Sequence, residues 1–172
     1  MGTTIAIKKN KEEEQVKKGY CMCGVGVIEI KEENEVIVSL KFIEGKMKKS
    51  DESPLIKRAV KQVEEYFAGK RKKFDLPVYI SGTLFQKRVL KEVMKVGYGE
   101  TASYQDIAKR IGNTKAVRAV GAANRQNNVP LIIPCHRIIG KDMSVKGYAG
   151  KQRVKIFLLK LENPNIKLKN QG

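Results

Sequence analysis

The segment SYQDIAKRIGNTKAVRAVGAAN, residues 103–124, predicts two short helices joined by a glycine-containing turn. Ser103 begins a capping pattern for the first helix, and residues 112–113 have the composition of a turn. Thr114 is the expected cap of the second helix, which should run to about Asn124. Two short helices joined in this way are typical of a helix-turn-helix unit.

The second helix consists almost entirely of small side chains, with Arg118 near its centre. Small side chains let a helix backbone approach another surface closely, so tight helix packing and docking in a nucleic-acid groove both fit this composition. Helices that read base edges usually carry several long polar side chains. In a groove, this helix would therefore recognise shape, with Arg118 entering the groove or the base stack.

Positive charge is concentrated in the same half of the chain. The 172 residues carry 35 Lys and Arg against 18 Asp and Glu, a formal net charge of +17. Residues 1–80 hold 17 basic and 13 acidic side chains, whereas residues 81–172 hold 18 basic and 5 acidic ones, a net charge of +13. A cationic half suits a polyanion such as nucleic acid, although a lysine-rich surface can also serve solubility.

The N-terminal half predicts a modest α/β unit without catalytic spacing. Residues 24–30 and 35–43 are β-branched and partly alternating, which predicts two strands joined by a hairpin loop at 31–34. A helix should begin at Ser53, a good N-cap, and end at Gly69.

These patterns predict two domains, an N-terminal α/β domain over 1–77 and a mainly helical, cationic domain over 78–172. In the second domain, a capping box at Thr83 begins one helix. A last amphipathic helix should present Val154, Phe157, Leu158 and Leu161 on its apolar face and end at Glu162.

The sequence Pro134-Cys135-His136-Arg137 contains the candidate reactive residues of the second domain. It follows the apolar stretch 129–133, and the proline ends any strand there. We expect Cys135 at the mouth of a turn, where a neighbouring imidazolium or guanidinium would lower the pKa of its thiol. A buried, inert thiol is the alternative.

The single histidine limits what this cysteine can do. A cysteine protease needs a histidine from a distant part of the chain, and here the only one, His136, is the adjacent residue. His136 could still act on Cys135 through one water molecule. Glu162 is a candidate to orient the imidazole from the end of its helix.

No metal site or membrane segment is expected. The only other cysteines, Cys21 and Cys23, are interpreted as strand residues, because a closed zinc site takes four N or S ligands and the chain has one histidine. No apolar run approaches the roughly 20 residues that span a bilayer. A cytoplasmic location is expected, since the N-terminus lacks a secretion signal.

Together these residues resemble the O6-alkylguanine-DNA alkyltransferases, from about residue 81 to residue 163. The resemblance implies an α/β (α+β) fold, with a small ribonuclease H-like α/β domain followed by a mainly helical winged helix-turn-helix domain. The motifs that carry it are Ser103-Tyr104-Gln105, Gly112-Asn113, Arg118-Ala119-Val120-Gly121, Asn127 and Pro134-Cys135-His136-Arg137.

The resemblance implies four catalytic residues. Cys135 would accept the alkyl group, and His136 would deprotonate it through a water. Glu162 would orient the imidazole. Asn127 would brace the turn that bears the thiol.

The resemblance also implies a base pocket and a DNA-docking face. Arg118 would fill the stack after the damaged nucleotide leaves it. Ala149 stands where the family often has serine, but that contact is made by a backbone N–H. The backbone carbonyls of Cys135 and Ile138 would accept from the guanine amine. The other base-binding residues would be Tyr104, Tyr148 and Ala149, and residues 147–150 would form the loop that closes over the base. The DNA-binding residues would be Tyr104, Gln105, Asn113, Arg118, Gly121 and Arg125.

The function that the resemblance implies is DNA repair by stoichiometric, irreversible transfer of the alkyl group from O6-alkylguanine, and from O4-methylthymine, to Cys135. The product is a thioether, so water cannot regenerate the thiol. No cofactor or metal is expected. The partner would be double-stranded DNA bound through its minor groove by a monomer.

Two other readings remain open. A binding protein of the same family could flip alkylated bases without removing the group, although the acceptor Cys135 argues against it. A transcription regulator with a redox-sensing cysteine would also fit the helix-turn-helix and the charge, and it predicts preference for one undamaged operator sequence.

Overall fold

A computed structural model of the chain describes residues 2–7, 15–146 and 152–169. Within these ranges no helix combines the length and the apolar character needed to cross a membrane. The chain divides into two compact units, Met1–Ile80 and Ser81–Gly172. The boundary expected between 77 and 78 falls inside a strand of the first unit, Pro77–Val78.

The first unit is a mixed five-stranded sheet with one helix against it. Strands β2 to β4 form an antiparallel meander, and the short β1 and β5 extend it with parallel pairing, in the order β1-β5-β4-β3-β2. The strands are β1 (Thr4–Ile5), β2 (Lys17–Cys23), β3 (Gly26–Glu33), β4 (Val36–Ile43) and β5 (Pro77–Val78), and the helix is α1 (Pro54–Phe67).

The predicted hairpin is present, but its loop is shorter than expected. Residues 31–33 continue β3 and pair with β4, with an irregularity between Lys31 and Glu32. The chain reverses at Asn34 and Glu35, whose φ angles of 51° and 60° are those of a two-residue type I′ turn. The polar composition of 31–34 suggested a loop, but charged residues can occupy a strand as well.

The helix predicted from Ser53 to Gly69 is confirmed by α1. The Ser53 side chain accepts a hydrogen bond from the Ile56 N–H, and Pro54 occupies the first turn. Gly19 of β2 allows the helix to lie close, because a Cβ there would stand 2.6 Å from Ile56 Cγ2. Cys21 lies in the same strand, buried in the core, and burial raises the pKa of its thiol to about 12.

The second unit is mainly helical, so the predicted α/β class with a helical C-terminal part is confirmed. A two-stranded parallel sheet joins β6 to β7 and brings residues 102 and 138 side by side. The elements are α2 (Leu84–Val93), β6 (Ala102–Ser103), α3 (Tyr104–Arg110), α4 (Val117–Arg125), a 3-10 helix (Cys135–Arg137), β7 (Ile138–Ile139) and α5 (Gln152–Glu162).

Local capping fixes where two of these helices begin. Reciprocal capping boxes form at Thr83 before α2 and at Ser103 before α3, as predicted. The cap predicted at Thr114 is wrong. Helix α4 begins at Val117 without a side-chain cap, and the Thr114 carbonyl instead accepts a bond from Gln105 Nε2.

Helix α5 ends at Glu162 as predicted, but its buried face is rotated from the expected one. Phe157 remains 37% exposed, and the side chain that takes its place in the interior is Lys155. The buried residues of the helix are Val154, Lys155, Leu158, Leu159 and Glu162. This face therefore places a lysine and a glutamate inside the second unit.

Candidate active site

A tight turn holds Cys135 at the start of the 3-10 helix. The Cys135 N–H donates to the Ile133 carbonyl at 2.8 Å, and the Ile133 N–H donates to Val129 at 3.0 Å. Strand β7 follows at once and pairs with β6, directly before α3. The thiol is thereby placed in the interior beside the base of the helix-turn-helix.

Asn127, the second residue after the end of α4, braces this turn. Its Nδ2 donates to the Ile133 carbonyl at 2.8 Å, and its Oδ1 accepts from the Val129 N–H at 3.0 Å. Its side chain also forms a hydrogen bond with Cys135. One buried carboxamide therefore ties both ends of the 129–133 segment to the thiol.

His136 and Glu162 form a buried pair. His136 Nε2 lies 2.7 Å from Glu162 Oε1, and both side chains are almost completely enclosed. Burial is the main cause that lowers the pKa of His136, so the imidazole is neutral near pH 7. A neutral imidazole oriented by a carboxylate can accept a proton.

Two further residues donate hydrogen bonds to the Glu162 carboxylate. Arg137 donates from Nε to Oε2 at 2.8 Å and from Nη2 to Oε1 at 2.9 Å, and the Gly99 N–H donates to Oε2 at 3.1 Å. Burial alone would raise the pKa of Glu162, but the bonds from His136 and Arg137 hold it far below its usual range. The carboxylate is therefore ionised at any pH near neutrality.

Cys135 is more enclosed than the sequence predicted. The residue has no exposed surface, and burial raises the pKa of its thiol to about 11. The expected lowering of the thiol pKa is wrong for this structure, and the alternative of a buried thiol fits it, because the loss of hydration outweighs the hydrogen bond with Asn127 and the charge of Lys155. The thiol is protonated near pH 7.

Lys155 is the cation that acts on this thiol, and the sequence analysis missed it. Its charge lowers the pKa of Cys135, and burial lowers the pKa of Lys155 itself to about 8. The ammonium group donates to the Ile138 carbonyl at 2.5 Å and to the Lys146 carbonyl at 3.0 Å. A signal was available, since Lys155 lies at helical spacing from Leu158 and Glu162.

Tyr104 lies on the same side of the site. Its hydroxyl donates to the Lys146 carbonyl at 2.9 Å and accepts from Lys155 Nζ at 3.3 Å. Burial raises the pKa of Tyr104 to about 12, and the charge of the Cys135 thiolate adds to this effect. The phenol is thus a neutral donor close to the sulfur.

The two backbone carbonyls implied as base acceptors are both engaged. The Ile138 carbonyl accepts from Lys155, as described above. The Cys135 carbonyl accepts from Asn124 Nδ2 at 3.1 Å and from the Ile138 N–H. Asn124, a buried residue of α4, therefore connects the candidate docking helix to the backbone of the cysteine.

The residues predicted to bind DNA occupy the outer side of the helix pair. Arg118, Gly121 and Arg125 follow one another at spacings of three and four, which places them on one face of α4. Both arginines are exposed, whereas Val120, Ala123 and Asn124 are buried on the opposite side.

The remaining predicted positions complete this picture. Asn113 is exposed in the turn before α4, and Gln105 lies at the start of α3. Tyr148 and Ala149 lie outside the described residues. Among the residues that are described, no three His, Cys, Asp or Glu side chains lie close enough to hold a metal ion.

Two family descriptions match the chain. Residues 84–164 match the DNA binding domain of 6-O-methylguanine DNA methyltransferase, and residues 16–80 match its ribonuclease-like domain. The chain is 49% identical over 119 residues to the constitutive methylated-DNA–protein-cysteine methyltransferase of Bacillus subtilis, covering 69% of this chain and 72% of that protein. It is 42% identical over 144 residues to the methylated-DNA–protein-cysteine methyltransferase of Methanosarcina acetivorans, covering 80% and 92%.

Solved structures give the same result. The crystal structure of the Mycobacterium tuberculosis O6-methylguanine methyltransferase matches with a TM-score of 0.79 and 34% identity, over 90% of this chain and 97% of that one. The M. tuberculosis OGT in complex with DNA matches with a TM-score of 0.78 and 36% identity, over 86% and 92%. The chain therefore belongs to the 6-O-methylguanine DNA methyltransferase family.

Proposed function

We propose that this protein repairs DNA by transferring the alkyl group of O6-alkylguanine irreversibly to Cys135. The observation that carries this proposal is the buried arrangement of Cys135, His136 and Glu162, in which a neutral imidazole held by a carboxylate lies next to the thiol in sequence. Membership of a family whose relatives are named methylated-DNA–protein-cysteine methyltransferases supports the same reaction.

The reaction needs a proton acceptor and a donor. His136 Nε2 is engaged by Glu162, so Nδ1 takes the Cys135 proton, through a water in the family's arrangement. The sulfur then attacks the alkyl carbon, the C–O6 bond breaks, and its electron pair stays on the guanine. We infer that the neutral Tyr104 hydroxyl, which here donates to the Lys146 carbonyl, turns to donate to the base as that charge develops.

Lys155 contributes the electrostatic part of this step. Its ammonium group is the cation whose charge favours the thiolate of Cys135. In a dry site such a charge acts more strongly than it would in water. The thiol is neutral at rest. We therefore infer that its activation needs both His136, which accepts the proton, and the alkyl carbon that the sulfur attacks, with Lys155 stabilising the thiolate that forms.

The target atom lies inside a stacked duplex, so the nucleotide has to leave the stack at a cost of a few kcal/mol. We infer that α4 docks in the minor groove through Arg118, Gly121 and Arg125, where small side chains allow close approach. Arg118 would fill the gap left by the base. The net charge of +13 on residues 81–172 favours this binding, and O4-methylthymine is a second candidate lesion.

The direct test is the intact mass of the protein after incubation with duplex DNA that contains one O6-methylguanine. We expect a gain of one CH2 per protein molecule, mapped to Cys135 by peptide analysis, with one equivalent of DNA repaired. Cys135→Ala is the matched control, which should bind the same duplex and gain no mass. A wild-type protein that binds the lesion and remains unmodified would contradict the proposal.

Binding measurements on duplexes with and without the lesion, made beside the mass measurement, separate the other two readings. Tight binding of the lesion without transfer is the result expected of a non-transferring damage binder. Preference for one undamaged sequence is the result expected of a regulator. Binding that ignores sequence and weakens steeply with salt agrees with the repair function.

A further inference from the structure

Arg137 follows the cysteine and histidine in sequence and donates two hydrogen bonds to Glu162, the carboxylate that contacts His136. The residue is only 7% exposed. All three guanidinium nitrogens donate hydrogen bonds: Nε and Nη2 to Glu162, and Nη1 to the Val96 carbonyl at 2.6 Å. The guanidinium carbon also lies 5.8 Å from the centre of the Tyr98 ring. The group is thus fixed on three sides.

The two bonds to Glu162 form a fork that sets the plane of the carboxylate. Oε1 receives both Arg137 Nη2 at 2.9 Å and His136 Nε2 at 2.7 Å, so the guanidinium and the imidazole share one oxygen. A planar fork fixes orientation in a way that a single-point donor cannot. The position of the imidazole therefore depends on a residue that does not touch the thiol.

We propose that Arg137 is a positioning residue of the transfer reaction, which fixes Glu162 Oε1 on His136 and keeps the imidazole neutral and oriented to take the Cys135 proton. This role presupposes the proposed transfer to Cys135. Without the guanidinium, the full negative charge of Glu162 would act on His136 and favour the imidazolium, which cannot accept a proton.

The charges that face His136 all bear on this balance. Glu162 on α5 raises the pKa of the imidazole, whereas Arg137 and Lys155 lower it and burial lowers it most. Tyr98, before β6, faces both Glu162 and Arg137 and stays neutral, since burial raises its pKa. Arg137 is thus the cation closest to the carboxylate that orients the base.

The chain offers a direct reading of this role because it contains a single histidine. A pH titration of the imidazole followed by NMR needs no assignment among several rings and no DNA. Arg137→Met should raise the pKa of His136 by about one unit, as is usual when a partner charge within contact distance is removed. Arg88→Met is the matched control, since Arg88 donates to the Ile111 carbonyl, and it should leave the titration unchanged.

The single-turnover rate of transfer should follow the titration. For Arg137→Met we expect a loss that is clearly larger at pH 6 than at pH 8.5, where the imidazole is again neutral and the rate should lie within about threefold of wild type. An equal loss at both pH values with an unshifted titration would mean that Arg137 only supports the fold, and would overturn the proposal.

Arg137→Lys keeps the test decisive if the methionine variant does not fold, because lysine returns the buried charge. We expect a titration near that of wild type and a rate that is lower by about threefold at all pH values, the same residual loss as in Arg137→Met at pH 8.5, since neither side chain can hold both carboxylate oxygens. A rate equal to wild type would refute the need for the fork. Wild-type protein that transfers nothing, while Arg137→Met still shifts His136, would contradict the proposed function and leave the coupling of the two residues intact.

Discussion

Lys155 Nζ lies 2.5 Å from the carbonyl oxygen of Ile138, the oxygen that the family resemblance implies as an acceptor for the guanine amine. The second implied acceptor, the Cys135 carbonyl, already receives Asn124 and the Ile138 N–H. A carbonyl oxygen has two lone pairs, so an incoming amine has to share these oxygens or displace a donor. Donors of the protein itself thus already engage both of these oxygens.

The first prediction concerns the resting thiol. With a pKa of about 11, Cys135 has a thiolate fraction about a hundredfold below that of an ordinary cysteine at pH 7.5. Alkylation of native protein by iodoacetamide, mapped by peptide mass, should therefore be slower at Cys135 than at a model thiol by at least that factor. The same site in urea-unfolded protein should react at an ordinary rate. Alkylation of the native site at the model rate would show that the thiol is ionised at rest.

The second prediction concerns the buried cation. Lys155→Met removes the charge that favours the thiolate, so the transfer rate at pH 7 should fall about tenfold. Protonated Lys155 is lost as the pH rises through its pKa of about 8, so the advantage of wild type over the variant should shrink between pH 7 and pH 9. Single-turnover rates across that range provide the check. A ratio that stays constant with pH would mean that the charge of Lys155 has no part in the reaction.

The third prediction concerns the brace of the thiol turn. Asn127→Ala leaves the Ile133 carbonyl and the Val129 N–H without their partner in a buried turn, which should lower the free energy of unfolding by about 2–4 kcal/mol. Asn128→Ala is the neighbouring control, because its Oδ1 accepts from an exposed Ser81 N–H at 3.2 Å and should contribute under about 1 kcal/mol. Urea unfolding measures both. Equal losses would contradict the bracing role.

The fourth prediction concerns the exposed arginine of α4. Arg118→Ala should slow transfer from duplex DNA about tenfold or more, because nothing then offsets the unstacking of the base, and should leave transfer from a free O6-alkylguanine nearly unchanged. Arg58→Ala, at an exposed position on α1, should change neither rate. Equal losses of Arg118→Ala on the two substrates would exclude a role in the stack.

Elements governed by neighbouring residues could be predicted from the sequence. The caps at Ser53, Thr83 and Ser103 depend on side chains within three positions, and all three form as expected. The start of α4 was misplaced because no side chain caps it. The hairpin loop was expected at 31–34 and lies at Asn34 and Glu35, because charge does not distinguish a strand from a turn.

The parts of the site that follow from residue identity could be predicted from the sequence. The parts that depend on contacts between residues distant in sequence could not. The contact of His136 with Glu162 could be expected because the chain has one histidine and few acids in that half, and because the family resemblance implies it. Arg137 reaches Val96, 41 residues away, and such a contact leaves no local pattern. The raised pKa of Cys135 likewise follows from enclosure by the whole unit.

Gly99, in the connection between α2 and β6, contacts the residue that orients the imidazole. Gly99 has a φ of 76°, and a Cβ there would stand 3.1 Å from the backbone oxygen of Glu162, while its N–H holds the same residue's carboxylate. A side chain at this position would strain the backbone and crowd the end of α5 at Glu162, the residue that orients the imidazole. In a screen of variants for activity, a substitution at Gly99 would thus resemble a substitution in the catalytic residues.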